Sequence, residues 1–306
     1  MSPNTVAYNS LNNYLKTKFG TKVAKLSLDG GFTCPNRDGT LSTDGCIFCS
    51  ESGSGDFAGE RRLSISQQIE QQKQRISKKW AEAKYIAYFQ SFTNTYAPVE
   101  ILRSKYTEAI EQSDVVGLAI ATRPDCLSED VMELLMELSK KTYVWVELGL
   151  QTCNEKTAKF INRGYENSVF EDAVARLNLA GIHVVVHLIF GLPNETTEDM
   201  LNSVQYTCAL NIQGIKLQLL HVLQNTPLST LYQNQPFHIL TKDEYLSLVC
   251  TSLEYIPKEI VIHRLTGDGA KINLIAPLWS GNKKDVLNSL SKLILEKNIR
   301  QGCKIV

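Results

Sequence analysis

The sequence predicts an α/β fold, a partial (β/α)6 barrel of TIM type with a C-terminal α/β extension. Three observations carry that expectation. Short runs that are mostly apolar on both faces recur along the chain, as parallel strands buried on both sides require. Amphipathic stretches with helix-start signals lie between them. The segments after several of these runs are polar, and in a barrel the loops after the strands form one active face.

The elements follow in order. The expected strands are "KVAKLSL", "YIAYFQ", "VVGLAIAT", "YVWVELGL", "HVVVHLIF" and "IKLQLLHVL". Ser64 and Gln67 form a capping-box pair ahead of Ile65, Ile69, Ile76 and Trp80 at helical spacing. Ser168 with Glu171, Thr196 with Asp199 and Thr241 with Glu244 mark three further helix starts. "SEDVMELLMELSKK" places a serine at its cap, acids in its first turn and lysines in its last. Six strand–helix units imply a parallel sheet. No GxGxxG follows the first strand, which counts against a dinucleotide fold. After Leu223 the pattern changes: a helix near 241–255, an apolar "IVIHRL" and a last helix carrying Val286, Leu287, Leu290, Leu293 and Ile294 read as an extension on the same domain. The expected division is therefore residues 1–223 for the barrel with its N-terminal cysteine loop, and 224–306 for the extension.

Composition bounds the function. The chain has 306 residues, 43% hydrophobic, which is enough for a large core. Lys+Arg and Asp+Glu both total 32, so no global cationic field draws the chain to nucleic acid. The N-terminus lacks the apolar core of a secretory signal and no run is long enough to span a membrane, so no membrane partner is expected. Eight cysteines in a chain this long are too dilute for a disulfide scaffold, and the expected setting is a reducing cytoplasm. The terminal "CKIV" lacks the aliphatic position of a prenylation signal at Lys304.

Three cysteines, Cys34, Cys46 and Cys49, share one loop after the first strand, "FTCPNRDGTLSTDGCIFCSESGSGDFAG". Eleven residues separate the first two and two separate the last pair. Four readings stand side by side. Structural zinc usually takes four Cys or His ligands, and here there are three with no histidine before His183. A redox CxxC pair belongs at a helix N-terminus. Three unrelated buried thiols would have apolar neighbours rather than these polar, glycine-rich ones. An iron–sulfur cluster on three thiolates keeps one iron open for a ligand, and the small residues of "GSGDFAGE" let backbone approach it, with amides to donate to its sulfides.

At these residues the chain resembles the radical S-adenosylmethionine superfamily, in particular its YtqA/YhcC subgroup, related to the radical domain of the Elongator catalytic subunit. "CIFC" matches the second half of the family's CxxxCxΦC, with Phe48 as the aromatic, while the first spacing is eleven rather than three. "YFQSFTNTY", "ATRPDCL", "VELGLQT", "INRGY", "HLIFGLPNET", "HRLTGDG" and "LIAPLWS" follow in the family's order, from about residue 8 to 297. The resemblance implies a [4Fe–4S] cluster on Cys34, Cys46 and Cys49 at the strand-C-terminal mouth. It implies S-adenosylmethionine on the open iron, cleaved by one electron to a 5′-deoxyadenosyl radical that takes hydrogen from substrate. Gln151 and Arg163 match cofactor-contacting positions, with Arg163 suited to a carboxylate. Thr93 and Asn94 are candidates for the methionine amine. Ala121 stands where several relatives carry a cofactor-contacting glutamate, so the resemblance implies that this contact is either absent here or supplied elsewhere, with Glu147 the candidate.

Bland readings stand beside these. Arg163 also suits a helix end, Glu147 a structural ion pair, His187 a hydrogen-bonded core position, and Cys126 and Cys153 inert buried thiols. The subgroup resemblance points to tRNA as substrate, at the side chain of a 5-substituted wobble uridine trimmed from carboxymethylaminomethyl toward aminomethyl. Basic segments "KQRISKKW" and "KNIRQGCK" are candidates to meet phosphates. A low-potential donor such as flavodoxin or ferredoxin would supply the electron. The alternatives are a radical enzyme acting on a small molecule or a protein, and a non-catalytic metal-binding scaffold.

Overall fold

The computed structural model describes residues 7–53, 55, 58–77, 80, 82–267 and 271–305. Parts of several motifs named above lie outside them: Ser54, Asp56 and Phe57 of the glycine-rich stretch, Lys78 and Lys79 of the first basic segment, and Asp268 and Gly269 of "HRLTGDG".

The strands are β1 (Val23–Leu28), β2 (Lys84–Phe89), β3 (Val115–Thr122), β4 (Tyr143–Gln151), β5 (His183–Phe190), β6 (Gly214–Leu219), β7 (Val222–Leu223), β8 (Val261–Arg264) and β9 (Leu274–Ala276). Seven form one parallel sheet in the order β1-β2-β3-β4-β5-β6-β8, curled into a partial TIM-type barrel. That is one strand more than the six expected. The additional strand is "VIHR" from the C-terminal extension, which pairs with β6 through Gly214↔Val261 and Lys216↔Arg264. The sheet therefore continues past residue 223. The expected sixth strand "IKLQLLHVL" is divided: β6 stays in the sheet, and β7 leaves it to pair antiparallel with β9.

The helices are α1 (Leu11–Phe19), α2 (Ile65–Ser77), α3 (Val99–Ile110), α4 (Glu129–Ser139), α5 (Glu155–Phe160), α6 (Asn167–Leu179), α7 (Thr197–Ala209), α8 (Pro227–Asn234), α9 (Lys242–Tyr255) and α10 (Lys283–Glu296). The expected capping boxes form at Thr196/Asp199 and Thr241/Glu244, and Ser64 and Gln67 exchange side-chain and backbone bonds in the same way. Ser168 does not cap α6. That helix starts two residues earlier, with Glu166 as its cap and the Asn167 amide donating to Glu155 Oε1 at 2.6 Å. Ser128 is at the cap of α4, but its hydroxyl donates to Asp130 rather than accepting from the first turn. No helix among the described residues is long and apolar enough to cross a membrane.

Two cores result from the alternation of strand side chains. Outward residues such as Leu26, Phe89, Leu118, Val146 and Val186 pack under the helices. Inward residues Val23, Ile86, Ala119, Trp145 and Val185 fill the barrel floor, closed from below by Leu15 of α1. Leu15 is 2% exposed, and a leucine buried to that degree contributes about 1.5–3 kcal/mol. The cavities that the cysteine loop reaches lie above this floor, at the C-terminal ends of the strands.

Candidate functional site

The loop carrying the cysteines is tied down at both ends of its long spacing. The Cys34 carbonyl accepts from the amides of Arg37 (2.8 Å) and Asp38 (3.1 Å), and the Gly45 amide donates back to the Asn36 carbonyl at 2.7 Å. Asn36 is 1% exposed and donates to the Asn162 carbonyl at 2.7 Å, while Asn162 donates to the Gly45 carbonyl at 2.7 Å. The Arg37 guanidinium donates to the carbonyls of Cys49 (2.8 Å) and Ser50 (2.7 Å). The eleven residues thus fold back on themselves, and Asn36 and Arg37 bring Cys34 beside the CIFC turn. The Ile47 amide donates to the Ile161 carbonyl, and its carbonyl accepts from Leu228 of α8, which fixes the turn to the barrel and to the extension.

None of the three cysteines is in a disulfide; all are half-buried, and they line one cavity of about 170 Å³ at the mouth. Burial first, then the neighbouring Cys49, pushes the Cys46 thiol up to about 12. The buried thiol favours its proton, and metal binding at this position would require losing it. The side-chain amide of Asn36 points at Cys46 Sγ from 3.7 Å. Two glycines in the loop, Gly45 (φ 70°) and Gly53 (φ 57°), hold conformations that favour glycine. Among the described residues no three His, Cys, Asp or Glu groups close around a single metal ion. Three thiols on one cavity wall, with donors and small residues around them, suit a cluster with an open position.

Of the other predicted residues, Thr93, Glu147, Gln151 and Arg163 line the same mouth and Asn94 does not. Asn94, fully buried, donates its amide to the Ala121 carbonyl at 2.8 Å, and its own carbonyl accepts from Tyr106. Gln151 sits at a register shift ending β4, with φ 64°, 3.3 Å from the Tyr165 hydroxyl. Arg163 is 1% exposed. It donates to the carbonyls of Leu150 (3.2 Å), Thr152 (2.9 Å) and Tyr165 (2.7 Å) and pairs with Glu155 at 3.2 Å. Its guanidinium therefore locks the end of β4 to the turn after α5, as well as lining the cavity. Cys126 and Cys153 line neither part of the mouth; burial raises both thiols, and Cys153 accepts from Ser203.

Glu147 forms the centre of a charged layer just above the apolar floor. It is the register partner of Ala121 across β3 and β4. Its carboxylate pairs with Lys216 of β6, accepts from His187 at 2.8 Å and from the Trp145 indole at 3.0 Å, and faces Lys25 at 3.8 Å. Burial alone would raise its pKa, but Lys216, then Lys25 and His187, hold it well below the usual carboxylate range. Burial, then Lys216, lowers His187 to about 4, so its imidazole is neutral.

Sequence reading did not find Arg37, Arg123, Tyr165, Lys216 or Arg264, all of which line the mouth. Lys216 carried a signal equal to that of Glu147: one charge in an apolar strand, "GIKLQL", expensive to bury without a partner. A second, larger lobe of about 460 Å³ adjoins the first and shares Phe48, Gln90, Gln151, His187, Gln218 and Arg264 with it.

The sequence pattern of the radical SAM superfamily matches residues 34–207, and that of the radical SAM C-terminal domain matches 212–295. The chain belongs to the radical S-adenosylmethionine superfamily. It is 48% identical over 295 residues to the uncharacterized protein YtqA of Bacillus subtilis, covering 96% of this chain and 92% of that one. It is 34% identical over 293 residues to YhcC of Escherichia coli K12, covering 95% and 94%. Among solved structures, Elp3 of the archaeon Methanocaldococcus infernus superposes with a TM-score of 0.67 at 18% identity, over 91% of this chain. This chain spans 64% of that Elp3 chain, and the likeness is one of fold. Radical SAM proteins combine an iron–sulfur cluster with S-adenosylmethionine, and the family boundary at 207–212 lies just before β6.

Proposed function

We propose that this radical SAM protein holds a [4Fe–4S] cluster on Cys34, Cys46 and Cys49 and acts on a 5-substituted wobble uridine of tRNA in the cytoplasm. One observation carries the reading: the three cysteines line the same cavity that receives the ends of β2, β4 and β6. When bound, cluster and S-adenosylmethionine supply a 5′-deoxyadenosyl radical after one-electron reduction by a donor of flavodoxin or ferredoxin type.

The chain's own residues position and enclose. Asn36 and Arg37 hold the cluster loop closed. Thr93 and Gln151 are set to contact the methionine and nucleoside parts of the cofactor, and Asn94 ties the segment after β2 to the Ala121 carbonyl. Arg163 fixes the β4 end on which Gln151 sits, and Glu147 fixes Lys216 and His187 below. The adjoining lobe of about 460 Å³ has room for a substrate group beside the cofactor. The tRNA assignment rests on the subgroup resemblance, with partial likeness to Elongator complex protein 3 of Schizosaccharomyces pombe at 27% identity over 190 residues, 34% of that protein.

Anaerobically reconstituted protein is expected to contain iron and sulfide and to release 5′-deoxyadenosine with reductant, and Cys46→Ser to lose both. Zinc in place of iron, with no 5′-deoxyadenosine, would overturn the cluster assignment. Deletion of the gene is expected to change the wobble-uridine nucleosides in digested tRNA. An unchanged nucleoside profile, with a metabolite or protein altered instead, would move the substrate to the small-molecule or protein class.

A further inference from the structure

His187 is the side chain whose role the fold changes most. It lines both lobes of the mouth, and its Nε2 lies 2.8 Å from Glu147 Oε2. Glu147 is held as a carboxylate by Lys216 and Lys25 and by the Trp145 indole. A carboxylate only accepts, so Nε2 must carry the proton, and the neutral ring leaves Nδ1 as a bare acceptor. No group among the described residues pairs with Nδ1. Around it the larger lobe offers the aromatic ring of Phe48 and the side-chain amides of Gln90, Gln151 and Gln218. An aromatic face with amides able both to donate and to accept is how proteins stack an unpaired base and read its edge.

We infer that the larger lobe takes an unstacked uracil-type base, and that His187 Nδ1 reads it by accepting a hydrogen bond from its N3–H. This rests on the tRNA reading above and adds the atom that makes the choice. Uracil offers a donor at N3. Cytosine offers an acceptor there, which would face the Nδ1 lone pair, and 3-methyluracil offers a methyl group. A site built around a hydrogen bond rejects a partner lacking it far more strongly than it rejects a change of size. Glu147 and Lys216 are positioning residues: they fix the tautomer and do not touch the base.

The test uses the full chain with its cluster reconstituted and three anticodon stem-loop RNAs carrying uridine, cytidine or 3-methyluridine at the wobble position. Binding of the uridine RNA is expected to be at least tenfold tighter than that of the other two. His187→Phe is expected to bring the three to within about twofold, and His187→Gln, which keeps an acceptor oxygen, to recover part of the preference. Independently, nitrogen-15 NMR of labelled histidines in the protein without RNA is expected to show His187 protonated on Nε2 alone. RNAs that bind but bind alike, or a His187 proton on Nδ1, would overturn the inference and leave the tRNA reading standing. Failure of all three RNAs to bind would overturn both.

Discussion

Ala121 and Glu147 face one another across β3 and β4 as direct register partners. Glu147 thus puts a carboxylate on the level of Ala121, one strand over in the barrel. It is not idle there: Lys216, His187 and Trp145 all meet it. Burial pulls the Lys216 ammonium well below the usual lysine range, and Glu147 is what opposes it, so Glu147→Gln would leave Lys216, 2% exposed in its side chain, without its counter-ion. We expect a loss of about 3–5 kcal/mol in urea unfolding at neutral pH. Adding Lys216→Met should return part of that loss, since removing both charges is much cheaper than stranding one.

Arg163 separates a structural from a purely cofactor-directed role. Its donors meet the backbone carbonyls of Leu150 and Thr152 at the end of β4 and that of Tyr165 in the turn after α5. Lysine keeps the charge and loses the planar fork. Arg163→Lys is expected to cost about 2–4 kcal/mol, the scale of losing several charge-assisted bonds to buried groups, and to lower the melting temperature in the absence of cofactor. A melting temperature equal to that of the parent would show that the fork is reserved for a ligand.

Glu195, after the "GLPN" turn, supplies the pH dependence. Burial first, opposed by the Thr152 hydroxyl, raises its carboxyl to about 7, above the ordinary value of about 4.3 in an unfolded chain. The folded state therefore holds a proton that the unfolded state releases. Its contribution is complete below pH 4.3 and is lost as pH rises through 7. Glu195→Gln should remove that slope and stabilise the fold at pH 8 by about 1–3 kcal/mol, the lower part of the range reflecting partial exposure. Denaturation midpoints at pH 5 and pH 8, compared between parent and variant, check the sign.

Much of this architecture was legible because it is local. Each of the first five strands is a compact apolar run, and Thr196 and Thr241 announce their helices through contacts three residues away. What escaped is what depends on distant partners. β8 has four residues and joins β6 only after α8 and α9 have intervened, so nothing in "VIHR" marks it as part of the barrel. The start of α6 is set by Glu155, twelve residues upstream, rather than by the serine that fits the local pattern. In the site, the cysteines were readable from their own spacing and from the family resemblance. The Glu147–Lys216 pair spans 69 residues, and only the closed sheet brings its two strands onto one level.

The glycine after the cluster turn offers a test of the loop that leaves every cysteine in place. Gly53 has φ 57°, and a Cβ built on it would lie 2.4 Å from the Phe92 ring. Its carbonyl accepts from the Phe92 amide at 2.9 Å, so the loop is bonded to the end of β2 just where the side chain would collide. Phe92 also holds a positive φ, 60°, and its ring is stacked by Arg37 at 5.8 Å and Arg61 at 5.7 Å, so it has little freedom to retreat. Gly53→Ala must then shift the loop away from β2 and take Cys49 with it. Because the barrel core lies elsewhere, the unfolding midpoint should fall by no more than about 1–2 kcal/mol, the combined scale of a strained φ and a surface clash. Iron bound per chain after reconstitution should fall several-fold. A variant that binds iron as the parent does would show that the loop closes around the cluster by adjusting Phe92, and that the approach of Gly53 to the strand is not what sets the positions of the thiols.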